Sequence, residues 1–170
     1  MINNKLLLAA GVATLSASFF SSSALAANAN GSATVLILEP LSVTAGTNDM
    51  NFGDVAGDAD NVTSVQLSTG GIATASALAN ASGSPTAGDF DVAGEGSLAY
   101  NITLPASATL AGPGSPATDM TVNAFQDSKN GSSSLTLGTD SFTVGATLNL
   151  NAGQGAGTYT GTYSVTVEYQ

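Results

Sequence analysis

The stretch Ser97–Pro105, SLAYNITLP, alternates without a slip: Leu98, Tyr100, Ile102 and Leu104 fall on one side, Ala99, Asn101 and Thr103 on the other. Successive side chains of a β-strand point to opposite faces, so this spelling predicts a strand with one face on a core and one toward water. The same period continues outward in both directions. Downstream, SFTVGATLNL places Phe142, Val144, Ala146, Leu148 and Leu150 inward, and DMTVNAF places Met120, Val122 and Ala124 inward with Phe125 at an edge. Upstream, NVTSVQL puts Thr63, Val65 and Leu67 on one face, GDFDV pairs Phe90 with Val92, and NDMNFGDV points Met50, Phe52 and Val55 inward with Gly53 at a turn. Near the start, SATVLILEPLSVT (32–44) is apolar on both faces from Val35 to Leu38, which predicts a strand covered on both sides and bent at Pro40.

Clusters rich in glycine, proline and small polar residues separate these runs: ASGSPTAGD, AGPGSPATD and NAGQGAG. The loop 68–88 leaves room for one strand in IATASALANA, and no segment has a helical period. The fold class predicted is all-β, an antiparallel sandwich or barrel.

The 170 residues suit a single domain behind a targeting segment. Lys5 supplies a positive start, LLLAAGVATLSASFF an apolar run, and Ala24-Leu25-Ala26 a small-residue cleavage site, with Ala27-Asn28-Ala29 as a second one. The run is shorter than the ~20 residues a membrane span needs. The expected organisation is a secretory signal at 1–26, a short lead at 27–32 and the β-domain at 33–170, exported with no membrane span after cleavage.

Twelve acidic side chains face two basic ones, Lys5 and Lys129, giving a net charge of −10. Such a chain repels nucleic acid and anionic membrane. There is no cysteine, so the fold does without disulfides and depends on an apolar core. There is also no histidine, so Ser-His and Cys-His nucleophile pairs are excluded, and the chain is expected not to be an enzyme. GQGAG leads into a strand and no lysine follows it, which excludes a phosphate loop. Carboxylates are the remaining candidate chemistry: Asp58 and Asp60 in GDVAGDADN, Asp89 and Asp91 in GDFDVAGE. Either loop offers oxygens to calcium, yet neither matches a defined calcium loop, and solvated acids are the plainer reading. No cofactor is expected.

The segment GTYTGTYSVTVEYQ (Gly157–Gln170) is the most regular of all, with Gly, Tyr or Val at every second position through Tyr169. Counted from Gln170 as one, Gly157 is fourteenth and Tyr169 second. This pattern resembles the terminal strand of pilins assembled by a periplasmic chaperone and an outer-membrane usher. ILEPLSVTAGTNDMNFGDV is similar to their first strand and the short apolar strand that follows, and the two segments together resemble a cysteine-free bacterial family of pilin-like domains.

What the resemblance implies is an immunoglobulin-like sandwich lacking its final strand, completed by a donated one: first the chaperone's, then that of a neighbouring subunit. By position, Tyr163, Val165, Val167 and Tyr169 would line the groove floor, with Tyr159 on the same strand. Gly157 would allow close backbone approach, and the carboxylate of Gln170 would pair with basic residues of the chaperone. Either SATVLILEPL, with Val35, Ile37 and Leu38, is the donated segment, or the subunit accepts a strand without giving an equivalent one. The function implied is a structural subunit of a fimbria-like surface filament, a homopolymer. The same residues would also finish an ordinary complete sandwich, and the alternative function is then a non-polymerising surface or matrix protein that binds calcium or glycan.

Overall fold

The computed structural model describes residues 27–113 and 119–170. The signal expected at 1–26 and the middle of AGPGSPATD lie outside the described residues. The chain divides into two compact units, Met1–Val35 and Leu36–Gln170. In the first, Ala27–Val35 are exposed and form no regular structure.

The second unit is all-β. Its strands are β1 (Ser42–Ala45), β2 (Asp54–Ala56), β3 (Thr63–Leu67), β4 (Ala73–Ala75), β5 (Asn80–Ser82), β6 (Gly88–Ala93), β7 (Ala99–Thr103), β8 (Ser107–Leu110), β9 (Met120–Asp127), β10 (Ser132–Ser134), β11 (Thr139–Leu150) and β12 (Thr166–Tyr169). Every ladder is antiparallel. The large sheet runs β1-β6-β11-β3-β4, with β9 on β11 and β8 on β9; a second sheet runs β10-β7-β12, and β2 pairs with β5.

β11 is the axis of this sandwich. Its first half pairs with β6 (Val144 opposite Gly88) and its second half with β3 (Leu148 opposite Val65). β9 pairs along Val144–Asn149 and so meets residues that β6 or β3 also pairs, which places it on the opposite edge. The inward residues of β11 therefore serve two core clusters. Ala146, Leu148 and Leu150 pack with Phe52, Val65, Leu67, Met120 and Val122; Phe142 and Val144 pack with Val92, Tyr100, Ile102 and Leu135. In the second cluster, Tyr100 and Ile102 come from the smaller sheet and close against the larger one, which is what makes the unit a two-layer sandwich.

The alternation read in β3, β6, β7 and β11 is the burial observed within those strands. Five readings differ. Leu98, read as inward, lies just ahead of β7 and is 37 % exposed. The run Leu36–Leu38 joins no strand and is exposed, and β1 begins only at Ser42. A run apolar on both faces needs cover on both, and Pro40 offers no amide to carry a ladder back into it. In β9 it is Ala124 that is exposed, while Phe125 turns inward and packs against both clusters. The cause is a bulge: Ala124 has φ 49°, and the register with β11 shifts between Gly145 and Thr147, which reverses the phase of every later residue. The segment 68–88 holds two short strands, β4 and β5, where one was expected. The ladder in the final segment is confined to Thr166–Tyr169, preceded by one isolated bridge between Thr160 and Ala111.

Candidate functional site

β1 and β12 lie side by side, but each is paired elsewhere: β1 with β6 in the large sheet, β12 with β7 in the small one. Among the described residues no ladder joins them and no other strand takes their free edges. Between these two edges the sandwich has an open seam.

The seam shows in the burial of the residues beside it. Val144, deep in the second cluster, is 0 % exposed, and Val92 and Phe142 are nearly as well covered. Tyr163, Val165, Val167 and Tyr169 reach the same cluster from the final segment, and Leu41 and Val43 reach it from β1, yet all six are only partly buried. The period-two pattern of the sequence thus continues from Tyr163 to Tyr169 although the ladder covers only its last four residues.

Each predicted residue has a definite place. The Tyr163 ring lies edge-on to Phe90, at 5.9 Å, and tilted against Phe125, at 5.2 Å. Burial, with smaller help from the charges of Asp49 and Asp89, pushes its hydroxyl up to about 12. Val167 stands opposite Ile102 in the β12–β7 ladder, and Tyr169 opposite Tyr100. The Tyr169 hydroxyl receives the Glu95 amide at 2.6 Å and donates to the Glu39 carbonyl at 3.0 Å. Gln170 is fixed to β7 by its amide nitrogen on the Ala99 carbonyl and by its side chain on Asn101. Gly157 has φ 154°, and a Cβ there would strike the Pro113 ring, so the close approach it permits is to Pro113. Tyr159 lies apart from the seam: it packs on the first cluster and donates its hydroxyl to the Gly155 carbonyl at 2.7 Å.

Ahead of β1, Leu36 and Ile37 are 82 % and 86 % exposed and Leu38 is partly so; Val35, in the first unit, is equally open. The root of this segment is fastened at Glu39, through the Tyr169 hydroxyl and through its amide on the Glu95 carboxylate at 3.4 Å.

Two of the four candidate carboxylates are engaged by the protein itself. Asp58 Oδ1 accepts from the Asn61 side chain and from the amides of Asp60 and Asn61, and these bonds, the Asn61 side chain first, hold its carboxyl below the usual range. Asp89 accepts from the Asn48 amide at 2.7 Å, from the Asn48 side chain and from Thr47, and is likewise lowered, with the Asn48 amide the largest cause. Asp60 and Asp91 are exposed. Among the described residues no three acidic side chains converge as a metal site.

Sequence reasoning missed several participants. Phe125 was hidden by the bulge, which no residue type announces. Leu41 and Val43 were legible as apolar positions but were read as the tail of a longer strand. A polar knot on β11 was missed as well: Asp140 receives Ser133 Oγ at 2.7 Å, Tyr100 OH and Lys129 Nζ at 2.9 Å each, and its neighbour's amide. Partial burial works to raise its carboxyl, but these donors outweigh it and hold the group at about 2.

Among the described residues no helix is long and apolar enough to cross a membrane. No curated protein and no solved structure matches the chain significantly. A family match covers residues 41–169, from the residue before β1 to the last residue of β12, and leaves the exposed apolar run ahead of it. By that match the chain belongs to the family described as a domain of unknown function, DUF4402.

Proposed function

We propose that the protein is a structural subunit of a fimbria-like surface filament, exported from a bacterial cell and assembled by strand addition between copies, with a periplasmic chaperone and an outer-membrane usher as its handlers. One observation carries this reading. The inward residues of the final segment stay half-covered beside two free strand edges, and the same chain extends an exposed apolar run, Leu36–Leu38, ahead of β1. A strand laid in the seam gains backbone hydrogen bonds from an open edge and places alternate side chains on Tyr163, Val165 and Val167. The segment around Leu36–Leu38 has the apolar character such a strand needs. The calcium-binding alternative draws less support, because Asp58 Oδ1 is engaged within its own loop and both oxygens of Asp89 are engaged by Thr47 and Asn48.

The test is thermal melting of the mature chain with and without a synthetic peptide of residues 32–40. At a hundred times its Kd the peptide should add about 2.7 kcal/mol, a rise of several degrees. A chain that stays monomeric, melts cooperatively and ignores the peptide would overturn the reading.

A further inference from the structure

We infer that the turn Thr136–Thr139, carrying Leu137 at its tip, is a second contact between successive copies of this chain; the inference rests on the assembly reading above. Thr136 and Thr139 exchange backbone hydrogen bonds of 2.8 and 3.2 Å, closing a two-residue loop in which Leu137 has φ 53° and Gly138 φ 84°. Two-residue hairpin loops with both central residues left-handed select asparagine, aspartate or glycine at the first of them. Here the position holds a leucine, 91 % exposed. The residue is disfavoured by its backbone and gains nothing from burial, so the fold itself gives no return for it. A local rule broken in two ways at once points to a contact outside the chain.

The location of the turn identifies that contact. Gly138 donates its amide to the Gly96 carbonyl at 2.6 Å, and Gly94 donates to the Gly138 carbonyl at 2.9 Å. The residue between these glycines, Glu95, is the one that binds the Tyr169 hydroxyl and the Glu39 amide. The turn therefore stands beside the root of the apolar segment, and exposed Leu98 lies on the neighbouring loop that carries Glu95. Leu36 is three residues from Glu39, about 11 Å of fully extended chain. A copy that grips Leu36–Leu38 must have its surface within that distance of the root, and the turn Thr136–Thr139 is fastened to the glycines on either side of Glu95, which holds that root. The occupant is a second copy of this chain, because only the holder of the segment is brought so close.

The experiment compares assemblies of the full mature chain carrying Leu137→Asn or Leu137→Met with the parent, by sedimentation and by subunit release. Asparagine suits the left-handed backbone, so the Leu137→Asn unit should melt at the parent's temperature or above and bind the 32–40 peptide unchanged. Its copies should separate about tenfold more readily, as loss of a covered leucine implies. Leu137→Met keeps both the backbone and the apolar side chain and should assemble as the parent does. Leu137→Asn assemblies as durable as the parent's, with peptide binding intact, would overturn this inference alone. Parent copies that do not associate, or that associate equally well with residues 36–38 replaced by serine, would overturn the assembly reading and this inference with it.

Discussion

A single carboxylate ties the β9–β10 turn and two paired strands of the smaller sheet to β11. Asp140 holds Lys129 from the β9–β10 turn, Ser133 from β10 and Tyr100 from β7. Its carboxyl is lowered to about 2 in the fold and lies near 3.9 in an unfolded chain, so the folded state favours the ionised form. That contribution is complete above pH 4 and is lost as the pH falls through 2. Asp140→Asn should therefore lower stability at pH 7 by about 2 kcal/mol, allowing for partial exposure, and the gap to the parent should close between pH 4 and 2. Chemical denaturation across that range checks it; a gap that does not depend on pH would mean that shape, and not charge, is what the site uses. None of this was legible beforehand. In TLGTDSFTV the aspartate looks like a polar strand start, and its partners lie 7, 11 and 40 residues away on other elements.

At the scale of elements, the sequence was readable wherever apolar and polar residues take strict turns, because that pattern is the direct imprint of a pleated strand with one covered face. β3, β7 and β11 were plain for this reason. β10 is three serines and β4 is Ala-Thr-Ala; neither has the side-chain contrast that makes a period visible, and only neighbouring backbone fixes them as strands. The bulge in β9 was hidden because it is a backbone event at an alanine. Relieving its left-handed residue should show the strain it carries: Ala124→Gly is expected to stabilise the unit by about 0.5–1 kcal/mol, and Ala124→Val to destabilise it by at least as much. Equal melting temperatures for all three would mean the bulge relaxes without cost. Deleting Ala124 should be milder than inserting a residue beside it, since the deletion leaves Phe125 opposite Ala146 on the covered face and in phase with Met120 and Val122.

For the molecule as a whole, composition was a sound guide to class, and the seam could be anticipated only through the resemblance in the final segment. No composition reports that two strands lie adjacent and unpaired. Charge adds an expectation of its own for assembly. Twelve carboxylates against Lys129 alone, in the mature chain proposed above, make every copy repel the next, and the screening length falls from about 30 Å at 0.01 M salt to about 8 Å at 0.15 M. Association between copies should strengthen across that range by light scattering; weakening with salt would mean that attraction between opposite charges governs contact. The long strand β11 carries a last consequence. One uninterrupted girder walls both hydrophobic compartments, so neither can loosen without dragging its rungs out of the other. Occupying the gap at one flank should then lift a single calorimetric peak for the entire body, with no separate early shoulder for the half that was uncovered.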